Sequence, residues 1–136
     1  MTSEPQGEMR ILTEGDIVSA RRLVRRVASD AGFGLTDITR IVTAASELTR
    51  NVFRYAGAGV LRWRNIDNNS GLGVEFTFED YGPGIPDIPQ AMQEGFTTSG
   101  GLGLGLPGAK RLMDEFDIRS ELGKGTTIKI TKWKKK

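Results

Sequence analysis

The sequence predicts an α+β protein in which helices cover one face of a mostly antiparallel sheet. Two segments, 17–31 and 37–56, carry apolar residues at the period of an amphipathic helix. Residues 72–79 instead alternate apolar and polar side chains, as a half-buried strand does. Strand pairs joined by short glycine-containing turns, within 60–79 and 118–133, indicate antiparallel hairpins. Helices and hairpins together in one short chain favour the α+β class.

The first part of the chain predicts a short strand before its two helices. Residues 1–8 are polar and are expected to be a flexible lead-in, and residues 9–12 are expected to form the strand. The segment 13–16 offers residues that cap the first helix, and Gly32 ends that helix. The glycines of residues 57–59 end the second helix.

The last third of the chain predicts a helix followed by a hairpin. Pro107 suits a first helical turn, and apolar residues continue the helical period to Phe116. In the final strand, Ile128 and Ile130 are expected to face the core. One domain accounts for all 136 residues. Residues 134–136 are expected to be flexible, like the lead-in.

Cysteine and histidine are both absent from the chain. This excludes a disulfide framework, a histidine-ligated zinc site and Ser-His-Asp or Cys-His catalysis. Acid–base chemistry therefore depends on carboxylates, lysine or tyrosine. The polar amino terminus and the lack of a long apolar segment predict neither a secretory signal nor a membrane span. A cytoplasmic location is the simplest expectation.

Basic residues are concentrated in two places. Four lysines lie in residues 132–136, and removing them from the formal net charge of +2 leaves −2. This tail is expected to be solvated, so the basic isoelectric point does not predict nucleic-acid binding. The second place is an arginine face on the first helix, formed by Arg21, Arg22, Arg25 and Arg26. A solvated face and a docking face for an acidic protein both remain open.

Two glycine clusters carry the functional signal. The first glycine cluster is Asp-Tyr-Gly-Pro-Gly at residues 80–84, and the second is Gly-Leu-Gly-Leu-Gly at residues 101–105. Glycines let the backbone approach a ligand closely, and their N–H groups suit phosphates. Residues 86–101 lie between the clusters and are the candidate for a mobile lid. Neither the Walker spacing nor the Rossmann context is present, so another kind of nucleotide site is expected.

Upstream of the clusters, Glu47 and Asn51 lie one turn apart on the second helix. A carboxylate supplies a base, and an amide oxygen is a hard ligand for magnesium. Arg54 continues the same line, and Lys110 follows the second glycine cluster. Either cation could neutralise phosphate charge. The combination predicts a phosphoryl-transfer site for a nucleotide.

The order of these motifs resembles that of the GHKL, or Bergerat-fold, ATPase superfamily. Residues 46–51, Ser-Glu-Leu-Thr-Arg-Asn, are similar to its helical Glu…Asn motif. Residues 79–86 and 101–106 are similar to its two glycine motifs, and Gly125–Thr126 is similar to a late Gly-Thr beside the adenine. The resemblance covers about residues 40–130. It implies a two-layer sandwich with a mixed, mostly antiparallel sheet covered on one face by helices, and it implies ATP and Mg²⁺ as cofactors.

The resemblance implies a role for each matching residue. Asp80 would accept a hydrogen bond from the adenine amino group, Asn51 would coordinate Mg²⁺, and Glu47 would accept the proton of the incoming hydroxyl. The other residues expected to contact the nucleotide are Gly82, Gly84, Gly101, Gly103, Gly105 and Thr126.

Within the superfamily, the chain is most similar to the small bacterial serine kinases of the anti-sigma and stressosome switch branch. The segments that carry this similarity are 12–17, 95–101 and 113–116. It implies phosphorylation of STAS-domain proteins, activation of a PP2C-type phosphatase after release, and a weak homodimer. The alternative is an anti-sigma factor that holds a sigma factor directly, with ATP ordering its binding surface. A plain ATPase or an orphan histidine-kinase fragment also fits the nucleotide motifs.

Overall fold

The computed structural model describes residues 6–68, 71–85, 88, 92 and 105–134. Within these ranges the elements are β1 (Gln6–Ile11), α1 (Asp16–Asp30), α2 (Leu35–Ala56), β2 (Gly59–Asn68), β3 (Gly71–Asp80), α3 (Gly105–Leu112), β4 (Glu115–Glu121) and β5 (Gly125–Trp133). Apart from residues 88 and 92, the predicted lid over 86–101 lies outside the described residues. No helix in the described ranges is both long and apolar enough to cross a membrane.

The five strands form one sheet in the order β1-β2-β3-β5-β4. Each neighbouring pair among these described strands is antiparallel, so the mixed sheet implied by the resemblance contains no parallel pair here. The hairpins β2–β3 and β4–β5 are the two predicted from sequence. They meet where β3 pairs with β5, and this makes β3 the central strand.

One face of the central strand forms the core. Val74, Phe76 and Phe78 on β3 are at most 1% exposed, and α2 packs against this strand. Burying an apolar side chain of this size contributes about 1.5–3 kcal/mol to stability. The alternate residues Glu75 and Glu79 make ion pairs on the opposite, solvent-facing side. The two-layer sandwich with helices on one face is therefore confirmed.

The two long helices match the sequence prediction closely. Ala20, Val24, Val27 and Ala28 are the buried positions of α1, as the apolar period predicted. The predicted stripe of α2 is likewise buried or half-buried along its length. Gly57 ends α2 in the left-handed region, at φ 78°, and its N–H donates to the Phe53 carbonyl.

The flexible lead-in predicted for residues 1–8 is wrong for residues 6–8, which belong to β1. Gln6 lies opposite Arg64 of β2, and Glu8 forms an ion pair with Arg62 at 3.2 Å. This stretch contains only polar residues and glycine because part of it faces solvent and none of its side chains enters the centre of the core. Only its pairing with β2 makes it a strand.

The predicted helix to Phe116 is also wrong, because α3 ends at Leu112 and Phe116 lies in β4. The Asp114 N–H donates to the Thr131 carbonyl at 3.0 Å, and the Asp114 carboxylate accepts the Trp133 N–H at 2.7 Å. These bonds turn the chain from the helix into the sheet, where Phe116 lies opposite Ile130. Phe116 therefore continues the helical spacing of the apolar residues but belongs to a strand.

The lysine tail is not uniformly solvated, because Lys132 is only 5% exposed. Its Nζ donates to the Leu112 carbonyl at 3.2 Å and to Asp114 at 3.4 Å, and it lies 3.9 Å from Asp37. Lys132 thereby joins the start of α2, the end of α3 and the approach to β4. A buried ammonium is tolerated because oxygen atoms surround it. Lys134, in contrast, is exposed as predicted.

Candidate functional site

The predicted base Glu47 lies on the buried side of α2 and is 8% exposed. Arg50 Nη1 donates to Glu47 Oε2 at 2.8 Å. Since a buried carboxylate is stable only when it is paired or hydrogen-bonded, Arg50 supplies the neighbouring charge that Glu47 needs. Arg50 lies within the helical motif of residues 46–51, and the sequence motif assigns it no role. Its position three residues after Glu47 is nevertheless the spacing of a helical ion pair.

The helix turn that carries Glu47 is held by polar bonds to its surroundings. Ser46 Oγ donates to the Val42 carbonyl at 2.7 Å and accepts a bond from Arg21 Nε of α1 at 3.0 Å. Thr49 Oγ1 donates to the Ala45 carbonyl at 2.8 Å. The bonds from Ser46 and Thr49 stay within α2, and the bond from Arg21 joins α2 to α1 at the level of the candidate base.

Arg21 belongs to the arginine face of α1, and its bond to Ser46 shows that this face is not purely a solvated one. The other three arginines form no ion pair within the described residues. All four line a shallow surface groove of about 520 Å³, together with Val18, Ser29 and Asp30. A solvated face and a docking face both fit this arrangement.

Asn51 lies one turn after Glu47 and is half-buried, and Arg54 continues the line on the exposed side. The Asn51 side-chain amide makes no hydrogen bond with the described residues. Within the described part of the chain, no donor occupies its oxygen. The three residues of the predicted line differ in exposure, from a buried carboxylate to an exposed guanidinium.

Asp80 is the last residue of β3 and is half-buried. Its Oδ1 accepts the N–H of Gly82 at 3.0 Å, so the first glycine cluster turns tightly around the carboxylate. A Cβ atom on Gly82 would lie 2.7 Å from the Cβ of Ala56 in the last turn of α2. Only glycine fits this approach, which packs the end of α2 against the first glycine cluster.

Thr126 faces Asp80 across the β3–β5 pairing and is 8% exposed. Its hydroxyl shares a 2.8 Å hydrogen bond with the Ser120 hydroxyl, which also accepts the Ile85 N–H at 2.7 Å. Gly84, at φ 82°, lies between these residues and the end of β4, against the Glu121 carbonyl. Ser120 thus ties the first glycine cluster to β4. No sequence motif indicated this role, because it depends on strand register.

Gly105 begins α3 at φ 53°, and α3 packs on α2 through buried Leu106 and Ala109. Lys110 is exposed on this helix. Gly101 and Gly103, the other glycines of the second cluster, lie outside the described residues. The described site residues therefore form two connected groups: Asp80, Gly82, Gly84 and Thr126 at one end of the sheet, and Glu47, Asn51 and Gly105 on the adjoining helices.

The residues present fit a magnesium ion that is held mainly by a nucleotide. In the described part of the chain, no group of three or more Asp, Glu, His or Cys side chains is placed to hold a metal. Mg²⁺ commonly keeps waters and substrate phosphate oxygens and takes few protein ligands. The amide of Asn51, which has no partner among the described residues, is one oxygen donor of the required kind.

Next to Asp80, the outer face of the sheet carries a hydrogen-bonded cluster. The Tyr81 hydroxyl donates to Glu79 Oε1 at 2.7 Å, and Arg62 donates to the same oxygen at 3.1 Å. The bond from Tyr81, followed by that from Arg62, lowers the pKa of Glu79, and the bond to Glu79 raises the pKa of Tyr81. At neutral pH Glu79 is therefore an ionised carboxylate with two donors on one oxygen, and Tyr81 is a neutral phenol.

Known proteins are similar to this chain in sequence. The model of the family of histidine kinase-, DNA gyrase B- and HSP90-like ATPases matches residues 36–136. The serine/threonine-protein kinase RsbT of Bacillus subtilis (strain 168) is 53% identical over 128 residues, which cover 94% of this chain and 96% of that protein. An anti-sigma F factor of Caldanaerobacter subterraneus subsp. tengcongensis is 31% identical over 133 residues, covering 93% and 92%.

Solved structures share the fold at lower identity. A crystal structure of the RsbU and RsbW domains of a Mycobacterium tuberculosis protein superposes with a TM-score of 0.67 at 21% identity, over 95% of this chain and 32% of that chain. The catalytic domain of the histidine kinase ThkA superposes with a TM-score of 0.56 at 16% identity, over 94% and 96%. The chain therefore shares its overall fold with these two solved structures.

Proposed function

Because this chain belongs to the family of histidine kinase-, DNA gyrase B- and HSP90-like ATPases, we propose that it is an ATP-dependent protein serine/threonine kinase of a bacterial partner-switching pathway. The observation that carries the proposal is the pair on α2. Glu47 is a buried carboxylate, and the amide of Asn51, one turn away, has no partner among the described residues. Such a pair suits an enzyme better than a passive nucleotide binder.

In the proposed complex, ATP lies along the edge formed by the first glycine cluster, α2 and α3. Asp80 accepts a hydrogen bond from the adenine amino group, beside Gly82, Gly84 and Thr126. Guanine would be rejected, because it presents a carbonyl there and would leave a buried acceptor unpaired. The second glycine cluster, with Gly101, Gly103 and Gly105, would supply backbone N–H groups to the phosphates, together with the positive end of α3.

The proposed reaction transfers the γ-phosphoryl group of ATP to a serine or threonine hydroxyl. Glu47 accepts the hydroxyl proton as the new P–O bond forms and the bond to the β-phosphate oxygen breaks, which releases ADP. Asn51 would hold Mg²⁺, which when bound neutralises the charge that develops on the phosphate oxygens. Two exposed cations, Arg54 and Lys110, are the candidates for further charge neutralisation.

The proposed acceptors are STAS-domain proteins, and the proposed second partner is a PP2C-type phosphatase that the released kinase activates. These partners follow from the resemblance of residues 12–17, 95–101 and 113–116 to the stressosome switch branch. The 53% identity to a protein named serine/threonine-protein kinase RsbT supports the same branch. A cytoplasmic location and a weak homodimer belong to the same proposal.

The decisive experiment combines radiolabelled ATP and Mg²⁺ with purified STAS-domain proteins from the same genome. Label should appear on serine or threonine of one of them. Glu47→Gln should bind ADP normally and lose transfer by about 100-fold or more, as expected for removal of a base. Asp80→Asn should instead weaken ADP binding by about tenfold, the size of one lost polar contact.

Glu14→Gln is the matched control, because Glu14 is exposed on the loop before α1. It should leave both binding and transfer unchanged. Undiminished phosphorylation by Glu47→Gln would remove Glu47 from the role of base. Absence of a labelled acceptor, with intact ATP binding, would remove the kinase assignment.

The second candidate function is that of an anti-sigma factor that binds a sigma factor directly. The 31% identity to an anti-sigma F factor over 93% of this chain favours it. In that case, ATP would mainly order the binding surface. A sigma factor that co-purifies with the chain and is blocked in transcription would support this role. A phosphatase complex without sigma affinity would support the kinase.

A further inference from the structure

Among the described residues, Arg50 forms its ion pair with the proposed base. Its Nη1 lies 2.8 Å from Glu47 Oε2, and the two side chains are 28% and 11% exposed. The exposed fraction of Arg50 shows that its guanidinium has access to solvent and still folds back onto the buried carboxylate. The ion pair therefore matters more for the buried carboxylate, because the guanidinium can also bond with water.

The two carboxylate oxygens of Glu47 differ in their contacts. Oε2 is occupied by the guanidinium, whereas Oε1 makes no hydrogen bond with the described residues. A general base needs one oxygen free for the incoming hydroxyl, and it reacts well only if that oxygen is held in the right orientation. Glu47 has two rotatable bonds beyond Cβ, so a bond to Oε2 limits where Oε1 can lie.

The helix around this pair is already anchored without Arg50. Ser46 is bonded to Arg21 of α1 and to the Val42 carbonyl, and Leu48 is fully buried. The backbone position of Glu47 therefore does not depend on the ion pair. What remains for Arg50 to determine is the rotamer of the carboxylate.

We propose that Arg50 is a positioning residue of the kinase. It holds Glu47 Oε2 through the charge-assisted bond, so that Oε1 is the oxygen that takes the proton from the acceptor hydroxyl. Arg50 does not contact the nucleotide in this role. The inference rests on the proposed function of Glu47 and names the group that prepares it for catalysis.

The test compares Arg50→Met and Arg50→Lys with the natural chain, using ATP, Mg²⁺ and the STAS-domain acceptor identified as above. Arg50→Met should lower kcat by about 10- to 100-fold, the usual size of a misplaced catalytic group. The KM for ATP and the affinity for ADP should change by less than about twofold, because no nucleotide contact is lost. Arg50→Lys, which keeps a cation near Oε2, should recover part of the lost kcat.

A matched control is available on the same helix. Arg40 and Asp37 form an ion pair at the same three-residue spacing, at 3.1 Å and away from Glu47. Arg40→Met should leave kcat unchanged. If it lowers kcat as much as Arg50→Met does, the effect of Arg50 is a general loss of helix charge pairs and the proposal is overturned.

Two other results would overturn the proposal. An unchanged kcat for folded Arg50→Met would show that Glu47 needs no positioning. A loss of affinity for ATP with unchanged affinity for ADP would instead show that Arg50 contacts the γ-phosphate. If Glu47→Gln itself retains full transfer, the proposed function fails and not only the role of Arg50. Release of inorganic phosphate from ATP in water gives a second kcat for the same variants when no acceptor is labelled.

Discussion

The two ends of the central strand β3 are built in contrasting ways. At the Asp80 end, β3 and β5 approach so closely that a Cβ on Gly125 would lie 2.1 Å from the Asp80 carbonyl oxygen. Among the described residues, polar side chains near this end keep unused hydrogen-bonding atoms, such as the amide of Asn51. At the opposite end, Lys132 and Asp114 satisfy one another and the neighbouring backbone.

This difference predicts that stability and nucleotide binding depend on opposite ends of β3. The Lys132 end uses its polar groups in internal bonds, although Asn65 Oδ1 remains a buried acceptor without a partner among the described residues. The Asp80 end also forms internal bonds, from Gly82 to Asp80 and between Ser120 and Thr126, but it carries the residues of the proposed nucleotide site. Close backbone packing at Gly125, where only glycine fits, maintains the shape of that end.

The largest effect on stability and ADP affinity is expected from Gly125→Ala, which disrupts the backbone packing at the Asp80 end. Gly125 has φ 132°, where alanine is strained, and its Cβ would overlap the Asp80 carbonyl. We expect the free energy of unfolding to fall by about 3 kcal/mol or more. ADP affinity should fall by about tenfold or more as Asp80 is displaced. Urea denaturation and calorimetric titration measure the two quantities.

Gly123→Ala is the control for this variant. Gly123 also has a positive φ, of 78°, but no atom of the described residues lies within 4 Å of the place that a Cβ would occupy. The substitution should cost about 1–2 kcal/mol of stability from backbone strain alone and leave ADP affinity unchanged. Equal losses of ADP affinity in both variants would mean that the close approach of Gly125 to Asp80 does not determine ADP affinity.

A smaller effect, on stability alone, is expected from Lys132→Met. The substitution keeps the apolar stem and removes the ammonium, so the Leu112 carbonyl and the Asp114 carboxylate lose their donor. We expect the free energy of unfolding to fall by about 2 kcal/mol, since both partners lie only partly in solvent. ADP affinity should change by less than about twofold, because the proposed site is at the other end of β3.

Lys129→Met on the same strand is the matched control, because Lys129 is exposed. Its effect on the free energy of unfolding should be below about 0.5 kcal/mol. If Lys132→Met lowered ADP affinity by much more than about twofold, the two ends of β3 would be coupled. Stability and binding would then not be separable along this strand.

The smallest effect concerns pH and Glu79, which lies beside the site on the outer face of the sheet. Bonds from Tyr81 and then Arg62 hold the pKa of Glu79 below its usual value of 4.5. A depressed pKa stabilises the fold above the unfolded-state pKa, and this contribution disappears as the pH falls through the folded-state pKa. Glu79→Gln should therefore cost about 0.5 kcal/mol at neutral pH, as for a partly exposed ion pair, and almost nothing in strong acid.

Denaturation curves of the natural chain and Glu79→Gln, measured from about pH 7 to about pH 3, provide this test. The two sets of unfolding free energies should converge as the pH falls. A difference that stays constant with pH would mean that the carboxylate contributes through packing and not through its charge.

Local pattern was enough to predict most of the elements. The apolar period of α2, the alternation of β3 and the left-handed Gly57 each depend on neighbours in sequence, so the sequence predicted them. The pair of Glu47 and Asn51 was predicted for the same reason, since a helix fixes residues four apart on one side. Arg50 was equally accessible to this reasoning, three residues after Glu47, and was missed because a helical ion pair is usually a surface feature.

What the sequence alone determined about this protein is therefore the set of elements, the ATPase motifs and the chemistry that lacks histidine and cysteine. The tertiary structure alone decided which distant groups meet. It makes residues 6–8 a strand by pairing them with β2, it ends α3 before Phe116, and it buries Lys132 between Asp37 and Asp114. These outcomes depend on strand register and on contacts between residues far apart in the chain, which no local periodicity encodes.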